Sequence, residues 1–230
     1  MDYTARIYPA GPAGQTPALN RVWKNAYPVP LNDGSVLEIP LTPLPGEREA
    51  IALLMSNQCD FTVTDHITTL MAEAAAGFNP DCIAAIPTMG LEYAPQVAQK
   101  LGHETYAAMG FSQKFWYDAN AYEEIQSSTS GAQLKRLYLD PHLLHRVQGK
   151  RIVIVDDVIN TGASVLAAVR LLTRLGADVA ATVVVLTEGR VWEETMKDPF
   201  IQGHSTVKGL GHIPLFTKQE DGWAVNETTL

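Results

Sequence analysis

The chain has 230 residues, of which 46% are hydrophobic and 18% charged, enough apolar material for a sizeable core and too much for a disordered protein. Lys and Arg total 17 against 25 Asp and Glu, a formal charge of −8 that argues against a protein binding along nucleic-acid backbones but allows a local anion site. Two cysteines and the lack of an apolar run of about 18 residues predict a cytoplasmic protein without a membrane span.

The first 46 residues differ from the rest because they hold eight of the fourteen prolines. Each proline removes a backbone donor and restricts the residue before it, so helices are disfavoured here. Two short apolar runs flank Asp33 and Gly34, which is a hairpin signal. We predict that residues 1–46 form a peripheral segment added to a core.

Regular patterns begin at residue 47. Apolar spacing predicts a helix over residues 47–57, and a second helix that begins at Thr64 or Asp65 and ends at a left-handed Gly77. A buried strand, a helix and a short strand follow over residues 82–87, 91–101 and 105–109. Residues 110–131 show neither the helical nor the strand periodicity of apolar residues, and a connection of this length is typical of a functional lid.

The next predicted elements are a strand over residues 134–139, a turn or short helix over 141–147, a buried strand over 151–157, a helix from Ser164 to Gly176 and a strand over 178–186. This strand–helix–strand spacing is typical of a crossover in a parallel sheet. Residues 189–230 have no clear pattern beyond one predicted strand near residues 212–216. We expect one α/β domain, residues 1–230, with an open, mostly parallel twisted sheet flanked by helices.

Chemistry concentrates where the strand over 151–157 ends. Asp156 and Asp157 stand at its carboxyl end, the edge at which ligands bind in open parallel sheets. A small loop then leads into a helix N-terminus, whose amides and dipole attract anions, and Thr161 and Ser164 add hydroxyl donors. An anion cradle beside two carboxylates suits a sugar phosphate. The structural alternative is a strand-to-helix turn whose acids cap neighbouring amides.

Residues 153–164 resemble the 5-phosphoribosyl-1-pyrophosphate (PRPP) signature of type I phosphoribosyltransferases: an apolar run, two acids, three spacer residues, then Thr-Gly and small residues. The resemblance implies that family's fold. It also implies that Asp156 and Asp157 hold the ribose hydroxyls and, indirectly, Mg²⁺ on PRPP. The 5-phosphate would lie on the loop formed by Thr161, Gly162, Ala163 and Ser164.

A second resemblance lies upstream, where residues 82–102 are similar to the adenine and xanthine branch of the family. It implies that Thr88, Met89 and Gly90 point amides at pyrophosphate, although the turn also fits a purely structural role. Pro87 and Met89 depart from the adenine branch, which has an acid and an arginine there. This departure puts adenine as the substrate in doubt.

The lid, residues 110–131, is the third resemblance, because type I enzymes close a flexible loop over the reacting centre. Lys114 is its only cation, either a pyrophosphate contact or a solvated surface lysine. Tyr117, Tyr122 and the hydroxyls of residues 127–130 are candidate donors on closure. Trp116 is predicted to pack at the hinge.

The resemblance implies transfer of a phosphoribosyl group from PRPP to a nucleobase with release of pyrophosphate, with Mg²⁺ as cofactor and a homodimer as the assembly. Purine is the preferred base, and a pyrimidine or a non-standard base stays open. A hood over the base would come from residues 1–46, 189–230 or both, with Trp23, Tyr27 or Trp192 covering the ring or simply packing. The alternative function is a non-catalytic PRPP- or nucleotide-sensing regulator.

Overall fold

A computed structural model of the chain describes residues 4–10, 21–117, 121–125, 135–201 and 206–230. Its strands are β1 (Arg6–Tyr8), β2 (Ala26–Pro30), β3 (Val36–Pro43), β4 (Glu49–Ala52), β5 (Cys82–Ala85), β6 (Ala107–Gly110), β7 (Tyr122–Ile125), β8 (Lys135–Leu139), β9 (Arg151–Ile159), β10 (Asp178–Glu188), β11 (Thr206–Ile213), β12 (Phe216–Gln219) and β13 (Gly222–Val225). Its α-helices are α1 (Phe61–Ala76), α2 (Gly90–Lys100), α3 (Ala163–Arg174) and α4 (Val191–Thr195). Short 3₁₀ segments lie at Ser56–Gln58, Pro141–Arg146 and Glu227–Thr229.

The larger sheet has seven strands in the order β11-β10-β9-β5-β6-β8-β7. The first five run parallel, whereas β8 is antiparallel to both β6 and β7. Parallel strands bring their carboxyl ends to one edge, which is where such sheets bind ligands. The predicted open, mostly parallel α/β sheet is confirmed.

Both faces of this sheet are buried, as the apolar run in β9 predicts. Ile152 and Ile154 belong to the apolar cluster that includes the buried side of α3. Val153 and Val155 belong to the opposite cluster, which includes the buried sides of α1 and α2. Helices therefore cover the sheet on both sides and leave its carboxyl edge for a site.

A second, antiparallel sheet joins the beginning of the described chain to its last strands. Its strand order is β1-β3-β4-β12-β13, and β2 also pairs with β3. The β2–β3 pair confirms the hairpin predicted around Asp33 and Gly34. Trp23 and Trp223 exchange two backbone hydrogen bonds of 2.8 and 2.7 Å, so residues from both predicted hood segments form one unit.

The helix predicted over residues 47–57 is wrong. Residues 49–52 form β4, which pairs with β3 on one side and β12 on the other. Ala50, Ala52 and Leu54 are buried while Ile51 and Leu53 are partly exposed, which is the alternation of a strand. A run this short fits both periods, and the distant partner β12 decides between them.

Helix α1 begins at Phe61, earlier than Thr64 or Asp65, and its terminal Gly77 is right-handed with φ −60°. The left-handed residue near this end is Asn79, with φ 48°. The prediction of a left-handed Gly77 is therefore wrong, because the left-handed conformation occurs two residues later, at Asn79.

Two further predictions need correction. Residues 110–131 include the strand β7, which pairs with β8, so the segment is not wholly irregular. The strand predicted near residues 212–216 is in fact the end of β11 and the start of β12, two separate strands. In the described part of the chain, no helix is both long enough and apolar enough to cross a membrane.

Candidate active site

Strand β9 carries the two predicted acids to the carboxyl edge of the larger sheet. Asp156 pairs in register with Val184 of the neighbouring strand β10, and it is only 8% exposed. Asp157 is half-buried, and its N–H donates to Asp156 Oδ1 at 2.9 Å. The structure therefore sets two adjacent carboxyl groups at the edge that the sequence predicted.

Burial governs the electrostatics of this pair. It raises the pKa of Asp156 well above the ordinary value, and the charge of Asp157 raises it further. Burial raises the pKa of Asp157 as well. Because ionising both groups is costly, the pair favours a ligand that brings hydroxyl donors or a cation, either of which stabilises the charged form.

Residues 160–164 form the predicted anion-binding loop. Gly162 has φ 80° and is the N-cap of α3, so the loop turns through a left-handed position that favours glycine. The N–H of Ala163 donates to Thr161 Oγ1 at 3.4 Å. A cavity of about 140 Å³ lies along the loop and is bordered by Asp156 and residues 158–165. The amides at the start of α3 and the Asp156 carboxyl group thus border one cavity.

The turn after β5 packs directly on the acid pair. The N–H of Ile86 donates to the Val155 carbonyl at 3.1 Å, and the Pro87–Thr88 peptide bond is cis. A Cβ atom at Gly90 would lie 2.6 Å from the Val155 oxygen and 3.2 Å from the Asp156 Cα, so only glycine fits. The Gly90 N–H also lowers the pKa of Asp156. Thr88 is exposed and Met89 half-buried beside it.

Sequence reasoning missed the role of Asn160, the first residue of the loop, and missed Glu188 and Thr195, which contact the loop. Glu188 ends β10, is 6% exposed, and accepts a hydrogen bond from Asn160 Nδ2. Burial raises the pKa of Glu188, and the charge of Asp157 raises it too. Glu188 follows the apolar run of β10, just as the acid pair follows the apolar run of β9. Ligands bind at the carboxyl ends of parallel strands, so the same search for polar residues at the end of β10 would have found Glu188.

The described lid residues lie at the same edge, after β6. Lys114 is exposed, and no described contact joins it to Asp156, Asp157 or the loop. The rings of Tyr117 and Tyr122 pack on Tyr138 of β8, with centroids 6.0 and 5.7 Å apart. Trp116 is 44% exposed, and its Nε1 donates to Asp140 Oδ2 at 3.1 Å. The predicted donors Ser127, Ser128, Thr129 and Ser130 lie outside the described residues.

Three aromatic rings were candidates for covering a base. Trp23 packs edge-to-face on Tyr27, with centroids 5.4 Å apart, and Tyr27 packs on Phe216 at 5.0 Å. Both rings are buried in the smaller sheet. Trp192 is half-buried, and its Nε1 donates to the Gly189 carbonyl at 3.1 Å. All three therefore have packing roles in this structure.

Comparison with known proteins identifies relatives of this site. The family model for the phosphoribosyl transferase domain matches residues 62–205. An adenine phosphoribosyltransferase from Mycobacterium avium is 32% identical over 131 residues, 56% of this chain and 68% of the relative. An orotate phosphoribosyltransferase from Pyrobaculum aerophilum is 31% identical over 122 residues, 53% of this chain and 52% of the relative. The chain thus spans about half the length of the orotate relative.

Solved structures agree on the fold. The crystal structure of adenine phosphoribosyltransferase from Leishmania tarentolae superposes with a TM-score of 0.55 at 20% identity, covering 66% of this chain and 72% of that one. At this identity the likeness concerns the fold alone. The family match takes in β5, α2, β9, the loop and α3, which together build the edge described above. Because the family model matches more than half of the residues of this chain, the chain belongs to the phosphoribosyl transferase domain family.

Proposed function

We propose that the protein transfers the 5-phosphoribosyl group from PRPP to a nitrogen of a nucleobase and releases pyrophosphate. One observation carries this: the acid pair, the loop over residues 160–164 and the turn ending at Gly90 meet at one sheet edge, with Gly90 packed on Asp156. Membership of the family supports it, and so do relatives named as adenine and orotate phosphoribosyltransferases.

Each part of the site has a role suited to its chemistry. Asp156 and Asp157 accept hydrogen bonds from the two ribose hydroxyls, which relieves the cost of burying their charge. The amides of residues 161–164 hold the 5-phosphate at the N-terminus of α3. The turn formed by Thr88, Met89 and Gly90 supplies amides for pyrophosphate, and Lys114 reaches the same group when the lid covers the site.

The reaction needs no protein nucleophile. The bond between ribose C1 and the pyrophosphate oxygen breaks, a bond between C1 and the base nitrogen forms, and the proton of that nitrogen leaves to solvent. Positive charge develops on the ribose and negative charge on pyrophosphate. Catalysis is then chiefly positioning and electrostatic stabilisation, with water excluded from the sugar cation.

Mg²⁺ fits this donor set as a companion of the substrate. Within the described residues, no three His, Cys, Asp or Glu side chains are grouped to hold a metal ion. Two hard carboxylate groups beside an anion cavity suit an ion that takes most of its ligands from phosphate oxygens and water. When bound, Mg²⁺ neutralises charge on pyrophosphate, and Asp156 and Asp157 hold the ribose side of the complex.

The acceptor is proposed to be a purine, in a salvage reaction, because residues 82–102 are similar to the adenine and xanthine branch. Met89, which replaces an arginine of the adenine branch, argues against plain adenine specificity. The smaller sheet, built from residues of both chain regions predicted as hood, is proposed to cover the base.

We also propose a cytoplasmic homodimer. The family resemblance supports the dimer. The two cysteines support a reducing compartment, because both are free, Cys59 half-buried and Cys82 buried. Light scattering of the purified chain measures the assembly directly.

The test is release of pyrophosphate from Mg²⁺–PRPP in the presence of single bases: adenine, hypoxanthine, guanine, xanthine, orotate and uracil. We expect base-dependent release with at least one purine. PRPP binding by calorimetry, without release for any base, would instead identify the sensing regulator. If the protein neither binds PRPP nor releases pyrophosphate with any base, both proposed functions are overturned.

A further inference from the structure

Three consecutive residues of the phosphate loop are each held by one short stretch of chain. This stretch, residues 188–196, runs from the end of β10 through α4, and we refer to it as the β10–α4 segment. It contacts Asn160, Thr161 and Gly162 from outside the cavity. The functional interpretation of these contacts rests on the proposed function, in which this loop binds the 5-phosphate of PRPP.

The first contact is made by Glu188. Its Oε2 accepts a hydrogen bond from Asn160 Nδ2, and Glu188 is 6% exposed. A buried carboxylate without a donor costs considerable free energy, so the pairing with Asn160 is what makes Glu188 tolerable there. Asn160 directly precedes the loop residues that carry the anion-binding amides, and its side chain is thereby tied to β10.

The second and third contacts come from α4. Thr195 Oγ1 donates to the Thr161 carbonyl at 2.6 Å. A Cβ atom at Gly162 would lie 3.1 Å from both Met196 Cε and Thr195 Cβ, so α4 packs against the left-handed residue itself. The C=O and N–H of a trans peptide point in opposite directions within one plane, so the bond that holds the Thr161 carbonyl also fixes the direction of the Gly162 N–H.

We propose that Glu188 and Thr195 are positioning residues that fix the 160–162 backbone in the shape that binds the 5-phosphate. Loop amides bind an anion well only when they converge on it before it arrives, because otherwise binding must pay for ordering them. In this account the β10–α4 segment sets affinity for the 5-phosphate without touching it. Affinity for pyrophosphate, which the turn at Gly90 binds, is independent of it.

The test is calorimetric binding of ribose 5-phosphate, pyrophosphate and Mg²⁺–PRPP to full-length variants. Glu188→Leu removes the acceptor of Asn160, and Thr195→Val removes the donor to Thr161 with little change of shape. One such hydrogen bond corresponds to roughly a three- to tenfold change in binding. Each variant is expected to weaken ribose 5-phosphate and PRPP by about that factor, and pyrophosphate by less than about twofold.

Conservative variants separate positioning from general damage. Glu188→Gln keeps an acceptor and Thr195→Ser keeps the donor, so both are expected to bind ribose 5-phosphate within about twofold of the original chain. Glu194→Gln is the matched control, since Glu194 lies on α4 and pairs only with exposed Lys197 among the described contacts. It is expected to change nothing.

The outcomes distinguish this inference from the proposed function. Equal weakening of ribose 5-phosphate and pyrophosphate would mean general disruption and would overturn positioning. Unchanged ribose 5-phosphate binding in folded Glu188→Leu and Thr195→Val would overturn it too. Selective loss for ribose 5-phosphate, in a chain that never releases pyrophosphate with any base, would uphold positioning and reject the transferase.

Discussion

Asp156 is placed by folding where its charge is costly, at a buried position near the end of β9 and beside a second carboxyl group. Its raised pKa has burial as the main cause and Asp157 as the next. A group whose pKa is higher in the folded state contributes most to stability below its unfolded pKa. That contribution is lost as the pH rises through the folded pKa. The buried Asp156 carboxyl group therefore weakens the fold at neutral pH, a cost that binding of the proposed ligand relieves.

Asp156→Asn is expected to stabilise the ligand-free protein at pH 7 by at least about 1 kcal/mol, because a neutral amide does not carry the burial cost that raises the pKa of Asp156. The amide oxygen can still accept from the Asp157 N–H. Urea unfolding at several pH values measures this. The gain should shrink as the pH falls through the raised pKa towards about 4, where the original carboxyl is also neutral. A variant less stable than the original chain at pH 7 would contradict this reading.

Gly90 is required for a different reason, the close approach of two backbones. Gly90→Ala places a Cβ atom 2.6 Å from the Val155 oxygen, so the turn must move away from Asp156. We expect a loss of about 1–3 kcal/mol in unfolding free energy, together with weaker pyrophosphate binding. Gly77→Ala is the control, because its Cβ atom meets only the Ala74 oxygen at 3.8 Å. Similar behaviour of the two variants would show that the predicted clash is absent.

At the scale of elements, the sequence predicts what is decided locally. Strand β9, the loop and α3 follow one another with a long apolar run, a glycine and a clear helical period, and all were predicted. β4 was not, because its strand character depends on β12, far away in the chain. β12 and β13 are short strands that pair with each other, and β12 also pairs with the distant β4.

The same distinction applies to the site. Asp156, Asp157 and residues 161–164 lie in one continuous stretch, so a local pattern could identify them. The contact of Gly90 with Asp156 and the bonds from Glu188 and Thr195 join different elements. Only the order of strands in the sheet brings these residues together, and that order depends on many weak contacts spread over the fold.

One element-level contact ties the smaller sheet to the helix layer. Ser35, after the β2–β3 turn, is 1% exposed, and its hydroxyl donates to Asp33 Oδ1 at 2.6 Å. His66 of α1 lies 3.1 Å from both Asp33 Oδ2 and Ser35 Oγ. Burial alone would raise the pKa of Asp33, but the Ser35 hydrogen bonds and His66 lower it.

Asp33→Ala is expected to destabilise the protein by about 1–2 kcal/mol at pH 7, because the buried Ser35 loses its acceptor. A lowered pKa contributes stability above the unfolded value, and this is lost as the pH falls through the folded pKa. Urea unfolding should therefore show the two chains converging below about pH 4. Asp65→Ala, which removes an exposed pair with Lys100, is the comparison and should cost less than about 1 kcal/mol. Equal losses would mean that the Asp33 contact adds nothing specific.

At the scale of the whole molecule, a chain with a formal charge of −8 is proposed to bind a strongly anionic substrate. The negative charge of the chain is compatible with an anionic substrate if the anion is held by backbone amides, a helix N-terminus and Mg²⁺. None of these needs a basic surface. The negative charge still disfavours polyanions, whose binding needs many Lys and Arg.

Removal of the metal tests this balance. EDTA is expected to abolish pyrophosphate release, and Mg²⁺ added in excess to restore it, because acidic residues and an unshielded pyrophosphate repel each other. Turnover followed through such a cycle, with zinc-free buffers, is the measurement. Full activity in EDTA would show that the protein alone neutralises the leaving group.

Asp156 and Asp157 are proposed to hold the ribose of PRPP, and base-dependent pyrophosphate release by the double variant Asp156→Asn, Asp157→Asn tests this role. Cooperative unfolding of this variant checks that it is folded. We predict a fall of roughly 100-fold or more in release, because ribose is no longer held by charged acceptors. Release at the rate of the original chain from the folded double variant would contradict the account.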